Sequence, residues 1–159
     1  MSLAEDVIQK LTQRSVTLSS CESVTGGGIG AALTAVPGAS AVFRGALITY
    51  ARELKASLAG VDEELIEREG VVNELAALQM ALGAQRACDS DWAVSTTGVA
   101  GPAETDGATV GTVWFAVVGP RVGMSAAPQY TELVRFTGDR GQIRAAAVDH
   151  ALEMLLRVV

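Results

Sequence analysis

The chain has one histidine, two cysteines, four prolines and only two lysines, Lys10 and Lys55, among its 159 residues. Each scarcity removes a class of protein. Cys21 and Cys88 are too few for a disulfide framework and have no metal-ligand spacing, so a reducing compartment is expected. One histidine rules out a multi-histidine zinc site, and a Ser-His-Asp triad would have to be built on His150. That residue falls in the apolar stripe of a C-terminal helix, the usual setting of a hydrogen-bonded core or interface histidine. Cations are short as well: 12 Lys+Arg against 18 Asp+Glu give a net charge of −6, which argues against non-specific nucleic-acid binding. The longest apolar run, Val113–Val118, falls far below the roughly 20 residues of a bilayer span. The acidic start Met1–Asp6 lacks the regions of a secretory signal. A cytoplasmic protein without membrane or nucleic-acid partners is expected.

What is present describes a packed globular chain. Apolar residues make up 49% and charged residues 19% of the sequence, and there are 17 glycines. One domain over residues 1–159 is expected, burying roughly 70% of the surface its unfolded chain exposes. Ser2 and Glu5 have the form of a capping box for a helix over 4–14. A short strand over 15–20 then leads through Thr25-Gly26-Gly27-Gly28 into a helix over 29–36, stopped by Pro37-Gly38. A strand over 41–50, short helices over 52–58 and 62–69, and a helix over 73–88 with a Leu75, Leu78, Leu82 stripe broadened by Met80 and the alanines follow. Strands over 91–97, 110–118 and 130–136 and a helix over 140–157 complete the chain, with a hairpin loop at 119–128. Interleaved helices and about five strands predict an α/β fold, a three-layer α/β/α sandwich on a mixed, mostly parallel central sheet.

Three segments carry candidate chemistry. Cys21-Glu22-Ser23-Val24-Thr25-Gly26-Gly27-Gly28 joins a strand to a helix start, where free amides can hold an anion or an oxyanion and glycines allow close approach. The same pattern also fits a capped helix packed tightly on the sheet. It is neither a Walker loop nor a dinucleotide fingerprint, because the spacing and the Gly-Lys-Ser/Thr are missing. Ser23 and Cys21 are both candidate nucleophiles, and the base must be a Lys, Tyr, Asp or Glu; a partly desolvated Lys55 has the right chemistry. Thr96-Thr97-Gly98-Val99-Ala100-Gly101-Pro102 ends a strand and is either a ligand contact or an ordinary turn. Gly138-Asp139-Arg140 opens the last helix and offers a guanidinium to a phosphate, or simply an Asp cap. Arg44 is a second cation suited to a phosphate.

Taken in order, these blocks resemble the CinA C-terminal domain family. Glu22-Ser23-Val24-Thr25-Gly26-Gly27, Pro37-Gly38-Ala39-Ser40-Ala41-Val42-Phe43, and Thr49-Tyr50 with Lys55 are similar to its motifs. Thr97-Gly98-Val99-Ala100-Gly101-Pro102, Val110-Gly111-Thr112-Val113-Trp114 and Phe136 with Gly138-Asp139-Arg140 fit the remaining blocks. The resemblance implies deamidation of nicotinamide mononucleotide to nicotinate mononucleotide and ammonia, without metal or organic cofactor. It implies Ser23 as nucleophile and Lys55 and Tyr50 as its activating partners. Ser40, Thr97 and Arg140 are then the substrate contacts, and Thr25, Gly26, Gly27 and Gly98 in the matching blocks join the substrate-binding set. A homo-oligomer is expected, with the alanine-rich last helix as a candidate interface. Two other readings stand beside this one: a catalytically silent binding module linked to competence or DNA-damage responses, and an amidase for another small carboxamide.

Overall fold

The computed structural model describes residues 1–159. Helix α1 (Leu3–Arg14) begins at the capping box read from the sequence: Ser2 N–H donates to the Glu5 carboxylate, and Glu5 N–H donates to Ser2 Oγ. The chain continues through β1 (Leu18–Glu22), α2 (Gly28–Thr34), a 3-10 turn (Ala39–Ala41), β2 (Phe43–Ile48), α3 (Arg52–Ser57) and α4 (Glu63–Glu69). It ends with α5 (Glu74–Cys88), β3 (Trp92–Gly98), β4 (Thr112–Val118), β5 (Gln129–Arg135) and α6 (Arg140–Val158). No helix is long and apolar enough to cross a membrane.

The five strands form one mixed sheet in the order β2-β1-β3-β4-β5. β1 pairs parallel with β2 and β3, whereas β4 is antiparallel to both β3 and β5. Helices α1, α2 and α6 cover one face, where Leu18, Trp92, Val94, Val113, Phe115 and Val117 meet the buried side of α6. Helices α4 and α5 cover the other against Cys21, Ala93, Ala116 and Val118. The alternation of Phe115 and Val117 with Ala116 and Val118 is the period-2 pattern of a strand covered on both sides. The α/β/α layering follows directly from it.

Two expectations are corrected here. β1 starts three residues later than the 15–20 strand, because Ser15 takes a left-handed conformation that ends α1 and Thr17 is tied to the Asp91 carboxylate. Helix α5 centres its buried face on the small end of its stripe: Ala76, Ala77, Met80, Ala81, Gly83 and Ala84 face inward, Leu78 and Leu82 are half-buried against the same core, and Leu75 is 45% exposed. Small residues let the helix lie close to its neighbours, and a Cβ added at Gly83 would stand 2.0 Å from the Ala59 carbonyl oxygen. His150 is as expected, with Nε2 2.7 Å from Glu132 Oε2 and its ring centroid 4.6 Å from that of Phe115.

The connections place a site. The chain leaves β1 for β2 on one side, then returns past β1 to β3 on the other. The carboxyl ends of β1 and β3 therefore flank a topological switch point, where open α/β sheets bind ligands.

Candidate active site

Ser23 is the first residue beyond β1. Its N–H donates to the Thr96 carbonyl on β3 at 3.1 Å, so both strands of the switch point fix its backbone. Lys55, on α3, is 1% exposed and extends across the same end of the sheet. Its Nζ donates to Ser23 Oγ at 2.9 Å and to the Thr49 carbonyl at 2.7 Å, with the Tyr50 carbonyl at 3.5 Å. Burial lowers its pKa from 10.5 to about 8, and nearby Arg52 acts in the same direction. The neutral amine has two N–H bonds for the two carbonyls and one lone pair for the Ser23 hydroxyl proton. That is the arrangement of a base and its nucleophile.

Cys21, the other candidate nucleophile, is fully buried. Burial pushes its thiol up to about 11, and its Sγ lies 3.5 Å from Thr49 Oγ1. Between the two candidates the geometry favours Ser23.

Ser23 and Lys55 open onto a cleft of about 320 Å³, within the range of small-molecule sites. Thr97, Gly98, Tyr50 and Arg140 line it, and Ala103, Thr105 and Asp106 of the 103–109 loop form a further wall. Thr97 Oγ1 donates to the Val71 carbonyl at 2.7 Å. Arg140 begins α6 beside the Asp139–Gln142 capping box, so the Asp-cap reading of that segment holds. Its guanidinium donates to the Gly101 carbonyl at 2.7 Å and to the Tyr50 hydroxyl at 2.8 Å. It takes part in no ion pair, which leaves its charge available to an anion in the cleft.

Other expected residues are placed differently. The Tyr50 phenol meets Arg140, and only the backbone carbonyl of Tyr50 reaches Lys55. Thr25 is buried, and its hydroxyl is taken up by Glu22 at 2.8 Å and Thr96 at 2.8 Å. Gly26 and Gly27 are not in the cleft: they carry φ of 56° and 101°, the left-handed region that suits glycine, and a Cβ at Gly26 would stand 3.2 Å from Arg144 Nη2. The amides at the start of α2 are also occupied, because the Glu22 carboxylate accepts the Ile29 and Gly30 N–H groups at 2.9 and 3.0 Å. The glycine turn is thus a packing device, not an anion cradle. Ser40 sits in the 3-10 turn before β2, at the amino end of the parallel strands, and is exposed away from this cleft beside Arg44.

Sequence reasoning missed Glu22, Arg52 and Asp106. Asp106 accepts two bonds from Arg52 Nη1 at 3.0 and 2.8 Å and one from Val71 N–H at 3.0 Å, tying the 103–109 loop to α3 and to the turn after α4. The acidic composition of that loop was the available signal, but its partner lies 54 residues away. No group of three or more His, Cys, Asp or Glu side chains is gathered so as to hold a metal ion.

The family model for the CinA C-terminal domain matches residues 1–159. The chain is 43% identical over 158 residues to a CinA-like protein of Frankia casuarinae, covering 99% of this chain and 35% of that protein. It is 40% identical over 159 residues to the nicotinamide-nucleotide amidohydrolase PncC of Escherichia coli strain K12, covering 98% and 92%. The crystal structure of the competence/damage inducible protein CihA from Agrobacterium tumefaciens superposes with a TM-score of 0.90 at 35% identity, over 98% of this chain and 92% of that one. A CinA superfamily protein from Escherichia coli gives 0.91 at 32% identity, over 99% and 88%.

Proposed function

The chain belongs to the CinA C-terminal domain family, and we propose that it hydrolyses the carboxamide of nicotinamide mononucleotide, releasing nicotinate mononucleotide and ammonia in pyridine-nucleotide salvage. The observation that carries this reading is the buried contact of Lys55 Nζ with Ser23 Oγ at 2.9 Å. The name of the Escherichia coli relative, which this chain matches over 92% of its length, supports the substrate. The unpaired guanidinium of Arg140 in the same cleft supports an anionic one.

Neutral Lys55 removes the Ser23 hydroxyl proton as Oγ attacks the amide carbonyl carbon. The carbonyl electrons move onto oxygen. The Lys55 ammonium then returns its proton to the amide nitrogen, the C–N bond breaks and ammonia leaves an acyl group on Ser23. Water adds to that ester with Lys55 again taking the proton, and nicotinate mononucleotide departs as Ser23 recovers its hydrogen. Arg140 holds the phosphate, and Thr97 and Gly98 form the cleft floor. Tyr50 orients Arg140 through its phenol and Lys55 through its carbonyl. We place this reaction in the cytoplasm, in an enzyme that associates with copies of itself.

The test is ammonia release from nicotinamide mononucleotide by the purified protein, with and without a chelator, beside Ser23→Ala. Turnover that survives chelation and vanishes in the variant supports the reading. A folded protein with no turnover overturns the substrate. The wall formed by the 103–109 loop then favours another small carboxamide or a binding role, which substrate profiling separates.

A further inference from the structure

Glu22 is the one fully buried carboxylate of the chain, and the mechanism above leaves it unused. It directly precedes Ser23 and takes part in no ion pair. A buried carboxylate without a counter-ion is costly unless hydrogen bonds satisfy it, and here four do. Oε1 accepts from Thr25 Oγ1 at 2.8 Å and Ile29 N–H at 2.9 Å; Oε2 accepts from Ser20 Oγ and Gly30 N–H, both at 3.0 Å. The donors lie on both sides of Ser23, so one side chain closes the whole strand-turn-helix segment around the nucleophile. The Glu22 backbone carbonyl in turn accepts Thr49 N–H at 3.0 Å, and the Thr49 carbonyl is the 2.7 Å partner of Lys55 Nζ.

The same closure sorts the amides of the turn. Gly26 N–H is committed to the Ser23 carbonyl at 3.0 Å and Gly28 N–H to that of Thr25 at 2.9 Å, while the N–H groups of Val24, Thr25 and Gly27 take no backbone acceptor, and of these three residues Val24 lines the cleft. The amide that follows an acyl-transfer nucleophile is a recurrent oxyanion donor, and preorganised donors of this kind contribute heavily to catalysis. We infer that Glu22 is the positioning residue of this site: its carboxylate closes the Ser20–Gly30 segment, holds Ser23 Oγ on Lys55 and keeps the Val24 amide free for the developing oxyanion. Glu22 itself moves no proton. The inference rests on Ser23 being the nucleophile, as proposed above.

Its test reads Ser23 directly. A fluorophosphonate probe reacts as the serine oxygen forms a bond to phosphorus, fluoride leaves and Lys55 takes the hydroxyl proton. In Glu22→Gln an amide NH₂ replaces one acceptor and faces a backbone N–H that also donates. The expected result is a labelling rate constant at least tenfold lower than wild type, with the labelled fraction and far-UV dichroism preserved; a purely stabilising role would lower the fraction and leave the rate. Thr25→Val, which removes one tether, slows labelling in the same way, and Thr25→Ser restores it. Glu22→Gln within twofold of the wild-type rate overturns the inference, as does Thr25→Val at that rate should Glu22→Gln not fold. A wild-type Ser23 that never labels removes the nucleophile and the inference together. Ammonia release from nicotinamide mononucleotide, measured alongside, separates these results from failure of the substrate: labelling without ammonia overturns only the substrate.

Discussion

Lys55 Nζ reaches Ser23 Oγ at 2.9 Å from a helix that begins 29 residues further along the chain, in a pocket that leaves the lysine 1% exposed. A nucleophile and base that act as a unit lose activity together. Ser23→Ala and Lys55→Ala should each lower the rate of ammonia release at least roughly 10³-fold, with the double variant scarcely worse than either alone. Independent, multiplying losses would show that the two residues are not one device.

Activity should follow the charge of Lys55. With its pKa lowered to about 8 by burial, kcat/KM should rise with pH and level off above about 8 as the amine loses its proton. A profile that falls through this range would assign the base elsewhere.

The same group links stability to pH. The folded state holds Lys55 near 8 and the unfolded chain near 10.5, so between these values the unfolded state binds more protons. The destabilisation is fully present below about 8 and is relieved as pH rises to about 10.5, by about 3 kcal/mol in total. Denaturant titrations at pH 7 and 10 should show the wild type gaining on Lys55→Met. An equal difference at both values contradicts this.

Much of the candidate site was legible because Ser23, Lys55, Thr97 and Arg140 each lie in a short sequence motif, and all four line one cleft. What was illegible depends on partners far away in sequence or on what already fills a feature. A Thr-Gly-Gly-Gly turn before a helix looks like a vacant anion site, and nothing local says that the preceding Glu22 folds back onto its amides. Tyr50 is adjacent in sequence to Thr49, yet its side chain points to Arg140, 90 residues on. The α5 leucines follow a helical period, but the α3–α4 connection comes so close that the alanines face the core, Leu78 and Leu82 pack at its margin and Leu75 is exposed. Helical period identifies an apolar stripe without stating how near the neighbouring layer lies.

Arg140 carries the phosphate in the proposed complex. Arg140→Ala should raise KM for nicotinamide mononucleotide roughly 10- to 100-fold, the range for a lost charge-assisted hydrogen bond. Steady-state kinetics on the corresponding riboside, which lacks phosphate, should change little. Equal losses on both substrates would remove Arg140 from phosphate recognition.

Gly83→Ala tests the close approach of α5. The added methyl would meet the Ala59 carbonyl at 2.0 Å, and overpacking of this kind costs about 1–3 kcal/mol. A melting temperature lowered on the order of 5 °C is expected in a calorimetric scan. An unchanged melting point would mean that the 59–61 turn moves aside freely.

The position of β1 between β2 and β3 also orders events during synthesis. The β4–β5 hairpin joins neighbours in the chain, whereas β1 must wait for β3, whose residues pair with it from Leu18↔Trp92 to Glu22↔Thr96. Such pairing across a long loop is entropically late. Until Thr96 has left the ribosome, Ser23 has no carbonyl to hold its N–H, so the nascent chain carries the Ser23 hydroxyl unaligned until β3 emerges.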